Sequence, residues 1–204
     1  MTLPPPVFYL LAGPNGAGKS SLYRAAVVEG LIPANAEFVN ADLYEAAKLT
    51  GIADPRTRSE QARLWADTRR AVLLNAGKTF VSETVFSHES KIELIEAAKR
   101  SGFAVVLLVV CLDDTKRLLS RVRQRVREGG HDVLADRILE RYPRTLKNLA
   151  RAVRIADMAI LFDSGNQAAS KKAVQPLLRV AVCREMETRR LVPKLPKWAA
   201  LVLG

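Results

Sequence analysis

The chain has 204 residues, 49% of them hydrophobic, and a formal net charge of +11 at pH 7. This is enough apolar sequence for one sizeable core, and no Gly/Ser/Pro-rich linker divides it, so the expected organisation is one domain over residues 1–204. No apolar run reaches the roughly eighteen residues that span a bilayer, and Met1-Thr2-Leu3-Pro4-Pro5-Pro6 lacks the charged start of a signal peptide, which argues against a membrane protein and for the cytoplasm.

The first predicted strand, Val7–Ala12, runs into Gly13-Pro14-Asn15-Gly16-Ala17-Gly18-Lys19-Ser20, and a helical pattern continues through Ser21 to Val28. This is G-x-x-x-x-G-K-[ST] in the strand-loop-helix setting that the motif requires. Glycines let successive backbone N–H groups turn inward around phosphate oxygens, and the helix that follows adds the positive end of its dipole. Lys19 would reach the β- and γ-phosphates of ATP, and the Ser20 hydroxyl would complete the shell of a Mg²⁺ ion. Gly30 and Pro33 break the helix, and a short strand at about 37–41 ends beside Asp42. Asp42 can cap the helix that starts there. At the C-terminal edge of a parallel sheet it can also orient and deprotonate a hydroxyl that attacks the γ-phosphate.

Gly51–Arg58 reads as a loop and Ser59–Ala76 as a long helix stopped by Gly77, with Trp65 covering a core edge in preference to stacking on a ligand. The next strand, at about 79–84, again ends in a carboxylate, Glu83, followed by Thr84. A carboxylate there is either a surface charge or a contact for substrate or metal-bound water. Ser87 is expected to cap a helix from His88 to Arg100. Residues 104–112 are uniformly apolar, as in a central strand covered on both faces, and Asp113-Asp114-Thr115 behind them is capping sequence in which Asp113 is a weak candidate for holding a metal. Cys111 and Cys183 fall in separate apolar strands with no C-x-x-C pair, which suits buried reduced thiols and argues against a structural metal.

Residues 116–154 carry twelve Lys/Arg against four Asp/Glu. Arg121 and Arg125 share one helical face, as do Arg137 and Arg141, and Gly129-Gly130 separates the two pairs. Such a pair of helices, at about 121–142, is expected to form a lid that brings arginines to the charge that builds during phosphoryl transfer. The alternative is an exposed basic hairpin, and His131 in the joint has no assigned role. A strand at 158–163 follows. A Lys-rich connection leads to an edge hairpin at 178–183 and 188–192, and a tail from Pro193, including Trp198, is expected to pack across the surface. Five strands separated by helical sequence call for an α/β fold with a central parallel sheet between two helical layers, and right-handed crossovers bring all strand ends to one rim.

GPNGAGKSS, the VNAD strand end, SETVFSH, RVRQRVREGGHDV and RYPRTLKNL together resemble the zeta-toxin family of P-loop kinases in its short, free-standing branch, over roughly residues 7–165. The resemblance implies a P-loop kinase-like fold and ATP-dependent phosphorylation of a sugar-nucleotide hydroxyl, in the best-known members the 3′-hydroxyl of the amino sugar of UDP-N-acetylglucosamine. It implies Asp42 as general base, Lys19, Ser20 and Ser21 as part of the phosphate loop, Glu83 as the sugar-contacting glutamate with Thr84 beside it, and Arg125 and Arg137 as lid arginines. A small antitoxin protein is a partner that the family implies. The order Glu83-Thr84-Val85 departs from the Glu-Gly-Thr usual in these toxins. A kinase for a nucleoside, a polynucleotide end or an antibiotic is the alternative. The charge also admits a nucleotide-gated nucleic-acid-binding protein, although interleaved aromatics for a single-strand platform are lacking.

Overall fold

The structure is a computed structural model, described for residues 4–128, 134–165, 177–185 and 187–204. Seven strands form one sheet in the order β2-β3-β1-β4-β5-β6-β7. Strands β1 (Val7–Ala12), β2 (Glu37–Val39), β3 (Phe80–Thr84), β4 (Ala104–Cys111) and β5 (Met158–Asp163) run parallel, and β6 (Leu178–Arg184) and β7 (Glu187–Arg190) add an antiparallel hairpin at one edge. β4 lies between β1 and β5 and is buried on both faces from Leu107 to Cys111, as its unbroken apolar run predicts. Cys111 and Cys183 are both buried in strands, and burial pushes the Cys111 thiol up to about 12.

Two helical layers cover the sheet. Leu22 and Ala26 of α1 (Lys19–Val28) and Leu118 of α5 (Thr115–Arg127) pack against Leu11, Val81 and Leu108 on one face. The other face buries Leu73 of α3 (Pro55–Asn75), Ile95 of α4 (Ser90–Arg100), Leu149 of α6 (Ala135–Ile155) and Trp198 of α7 (Lys197–Leu203) against Phe8, Leu10 and Leu107. The short α2 (Ala41–Lys48) packs on α3, where Tyr44 stacks on the half-buried Trp65 with ring centroids 4.0 Å apart. Trp65 thus serves packing, as its place on the helix predicts. No helix among the described residues is long and apolar enough to cross a membrane.

Several boundaries differ from expectation because a different side chain caps the helix. Asn40, not Asp42, caps α2 by accepting the Leu43 N–H at 3.1 Å, which ends β2 at Val39 and leaves Asp42 in the first turn. The long α3 starts at Pro55, four residues before Ser59. Asp54 accepts the Thr57 N–H at 2.8 Å, and a proline at the first position lacks only an N–H that has no helical partner there. Ser87 caps nothing. His88 Nδ1 accepts the Ser90 N–H at 3.2 Å, and α4 begins at Ser90. Asp114 caps α5 as expected, whereas the two oxygens of Asp113 accept the N–H groups of Lys197 and Trp198 and so cap α7. The tail is not a surface wrapping, since Trp198 is completely buried. Of the expected lid, Gly129, Gly130, His131, Asp132 and Val133 lie outside the described residues, as does the Lys-rich connection at 166–176.

Candidate active site

At the C-terminal rim, β1 passes into the phosphate loop. Gly13 and Gly16 are required there by close backbone approach: a Cβ at Gly13 would fall 2.0 Å from the Val110 carbonyl oxygen, and one at Gly16 would fall 2.5 Å from that of Leu118. Both also hold positive φ. Pro14 accepts the Ala17 N–H at 3.2 Å and closes the turn. Among the described residues, the N–H groups of Gly16, Gly18, Lys19 and Ser20 meet no hydrogen-bond acceptor. A ring of unmet donors at a helix N-terminus fits an anion of phosphate type.

Lys19 is 8% exposed, and its ammonium donates to the Gly13 and Pro14 carbonyls at 3.1 and 3.4 Å. Burial pushes its pKa down, against the opposing pull of Glu83 and Asp42. Ser20 is exposed and Ser21 half-buried in the first turn of α1. The cleft beside this loop, about 220 Å³, is lined by Asn15, Lys19, Asp42, Glu83, Arg125 and Arg141 with the turn at Thr84 and Val85. Strand ends and helix starts thus bring Lys19, Asp42, Glu83 and Arg125 together, although they are far apart in sequence. Arg137 does not join them. It is exposed, and Arg141, one turn further along α6, lines the cleft in its place. Arg121 and Arg125 also divide their work: Arg121 donates to Gly16 O at 3.4 Å and to Ser164 Oγ and O at 3.0 and 2.9 Å, so it props the phosphate loop from outside.

Glu83 Oε2 is buried without a hydrogen-bond partner, and desolvation pushes the carboxyl above its ordinary 4.5, with Lys19 pulling the other way and Asp42 adding to the rise. A carboxyl raised in the folded state contributes stability below its unfolded pKa and loses it as pH rises through the folded value. Glu83→Gln is therefore expected to raise the thermal midpoint by a few degrees at pH 7, the gain vanishing below about pH 4.5. Thermal unfolding of the two proteins at pH 7 and pH 4 checks this, and equal midpoints at pH 7 would contradict the cost assigned to that charge.

The turn after Glu83 is held from α6. Phe86 has φ 64, a conformation that costs a bulky residue roughly 1–3 kcal/mol unless its surroundings enforce it. Here its ring is fully buried, its N–H donates to Thr84 Oγ1 at 3.2 Å, and Thr145 and Asn148 donate to the Val85 and Phe86 carbonyls at 3.1 and 3.2 Å. Arg141, Thr145 and Asn148 are spaced as one helical face. Sequence reasoning missed this face, and its signal is a pair of polar residues at core-facing positions of an otherwise amphipathic helix.

An open phosphate loop, a carboxylate pair at strand ends and arginines from two further helices define a P-loop nucleotide-binding protein. A family model described as AAA domain matches residues 9–149, and the chain belongs to that family. No curated protein matches the sequence. Among solved structures, the AvrRxo1-ORF1:ORF2 complex with ATP superposes with a TM-score of 0.68 at 17% identity, covering 92% of this chain and 61% of that one. The PezAT chromosomal toxin-antitoxin system of Streptococcus pneumoniae gives 0.60 at 15% identity, over 80% of this chain and 70% of that one. The Pnkp1/Rnl/Hen1 RNA repair complex gives 0.58 at 15%, over 74% and 47%. The chain thus spans about 61% of the length of the AvrRxo1 chain. Its fold is that of a zeta-toxin-like P-loop kinase.

Proposed function

We propose that the protein is an ATP-dependent kinase of zeta-toxin type that transfers the γ-phosphoryl group of ATP to a hydroxyl of a sugar nucleotide, with UDP-N-acetylglucosamine the leading acceptor. The observation that carries this reading is the meeting of Lys19, Asp42, Glu83, Arg125 and Arg141 in one cleft beside unmet backbone donors. Lys19 leaves the Gly13 and Pro14 carbonyls for the phosphate oxygens, and the N–H groups of Gly16, Gly18, Lys19 and Ser20 hold the remainder. The Ser20 hydroxyl would help to hold a magnesium ion, which would offset phosphate charge when bound. Asp42 accepts the proton of the acceptor hydroxyl and aims its oxygen at the γ-phosphorus, while Glu83 and Thr84 hold the sugar. Arg125 and Arg141 neutralise charge on the transferred group. Arg137 reaches the site only if the N-terminal end of α6 swings inward as part of the lid at about 121–142. The complexes formed by AvrRxo1-ORF1 with ORF2 and by the PezAT toxin-antitoxin system support a small antitoxin protein as partner, and action in the cytoplasm goes with this reading.

A polynucleotide 5′-hydroxyl is the second acceptor to test, supported by the basic run at 116–154 and the fold shared with the Pnkp1 complex. Incubation with Mg²⁺-ATP and UDP-N-acetylglucosamine, followed by product mass, should show one added phosphoryl group that Lys19→Ala abolishes. Labelling of 5′-hydroxyl RNA with no change in the sugar nucleotide would overturn the acceptor assignment, and absence of ADP release with every acceptor would overturn the kinase itself.

A further inference from the structure

β2, the strand that leads to Asp42, is three residues long, lies at the edge of the sheet and pairs with β3 alone. Asp42 comes shortly after its end, Glu83 lies near the end of β3, and both line the cleft. Two carboxylates facing one cavity repel each other, and the charge of Asp42 is one cause of the raised Glu83 carboxyl. A short edge ladder restrains the strand ends only weakly against that repulsion.

The restraint comes from Ser82. Side chains alternate along a strand, so Ser82 shares the face of Phe80, which packs with Ala66 and Leu73 of α3 in the core. An apolar residue is expected there. Ser82 is instead 1% exposed, and its hydroxyl donates to the Val39 carbonyl at 3.1 Å while accepting Nη1 of the buried Arg70 at 3.2 Å. Val39 is the last residue of β2, and the buried Asn40 follows it. Asn40 accepts the Leu43 N–H on Oδ1 and the Tyr44 N–H on its carbonyl, both at 3.1 Å, so the first turn of α2, with Asp42 in it, moves as Val39 moves.

Consecutive residues of α3 thus fasten the strand that carries the base. Arg69 donates to both carboxylate oxygens of Glu37 at 2.6 and 2.7 Å and holds the start of β2, and Arg70 holds its end through Ser82. The remaining nitrogen of Arg70 pairs with Asp67, so its charge is answered within the protein. An apolar pair would fill this position without the desolvation cost of a buried guanidinium. What the polar group adds is a fixed direction between two main chains.

We propose that Ser82 and Arg70 are positioning residues for phosphoryl transfer: the Ser82 hydroxyl, oriented by Arg70, pins the end of β2 to the end of β3 and so sets the Asp42 carboxylate against Glu83 across the acceptor site. Neither residue lines the cleft. The inference rests on the kinase reading, in which Asp42 is the base, and deepens it.

The test measures transfer from Mg²⁺-ATP to UDP-N-acetylglucosamine, with 5′-hydroxyl RNA in parallel, well below the thermal midpoint of each protein. Ser82→Ala should lower kcat roughly 10–100-fold and raise KM for the acceptor, the loss typical of a misplaced catalytic group. Affinity for a non-hydrolysable ATP analogue should stay unchanged, because the phosphate loop grows from β1. Ser82→Thr keeps the hydroxyl and should restore most of kcat. Asp67 still answers Arg70 in Ser82→Ala, and Arg70→Met, which leaves Asp67 to Arg63 at 3.4 Å, is a second variant expected to fall between Ser82→Ala and the parent. Added to Asp42→Asn, Ser82→Ala should cost less than about twofold more, since it acts through that carboxylate. An active parent whose kcat and acceptor KM are untouched by Ser82→Ala, with only the thermal midpoint lowered, overturns the positioning role alone, as does a full further loss in the Asp42→Asn background. A parent that phosphorylates no acceptor overturns the kinase reading and the positioning role with it.

Discussion

Asp42→Asn is expected to lower phosphoryl transfer by about 10²–10⁴-fold with ATP-analogue affinity essentially unchanged, the loss typical of removing a positioned general base. Asn40 caps α2 and fixes the helix start, so Asp42 in the first turn is free of the capping duty that would otherwise confound its substitution. Replacing a carboxylate near a helix N-terminus with an amide of equal size costs at most about 1 kcal/mol of helix-dipole interaction, and the variant should therefore fold. Single-turnover transfer and calorimetric binding of the analogue separate chemistry from binding. Transfer at the unsubstituted rate would move the base to Glu83, the other carboxylate lining the cleft. Glu83 has the weaker case: its raised pKa and unpartnered buried oxygen suit a group waiting for a substrate hydroxyl donor. Glu83→Gln is accordingly expected to act more on KM for the acceptor than on kcat.

The part of this site that was legible in the sequence is the part fixed by local chemistry. The phosphate loop is contiguous, and its spacing states its own geometry. Asp42 and Glu83 were legible because the C-terminal ends of parallel strands all face one rim, so a carboxylate just after an apolar run is placed without knowing the strand order. Choosing between Arg137 and Arg141 was not possible by the same route. Both lie on one face of α6, and which of them meets the cleft depends on how far the helix slides along the sheet, which is set by Thr145 and Asn148 reaching the Val85 and Phe86 carbonyls. Caps failed in the same way, since Asp54, Asn40 and His88 competed with the equally plausible Ser59, Asp42 and Ser87, and only the closed turn decides which oxygen or ring nitrogen finds an N–H. The contact of Ser82 with Arg70 and Val39 was invisible because it exists only once β2, α3 and β3 lie side by side.

The largest error concerned the tail, and Trp198→Ala measures it: stability should fall by about 3–5 kcal/mol, the cost of removing a large buried aromatic. The side chain is completely buried, so the cavity cannot be relieved at the surface. Its indole N–H donates to Asp163 Oδ1 at 2.8 Å, and the substitution takes that partner from a buried carboxylate that otherwise keeps the Gly165 N–H at 2.9 Å. Trp198→Phe restores most of the volume and not the donor, so its smaller loss, about 1–3 kcal/mol, reads the hydrogen bond apart from the cavity. The same contact reaches the active site. Asp163 leads into Ser164, which anchors Arg121, and Arg121 holds the Gly16 carbonyl of the phosphate loop. Urea unfolding gives the two losses, and ATP-analogue binding by the folded Trp198→Phe protein reads the relay. Weakened binding with the fold intact means that the tail braces the phosphate loop through Arg121. Unchanged binding confines Trp198 to the core, and a Trp198→Ala protein as stable as the parent would contradict the burial itself.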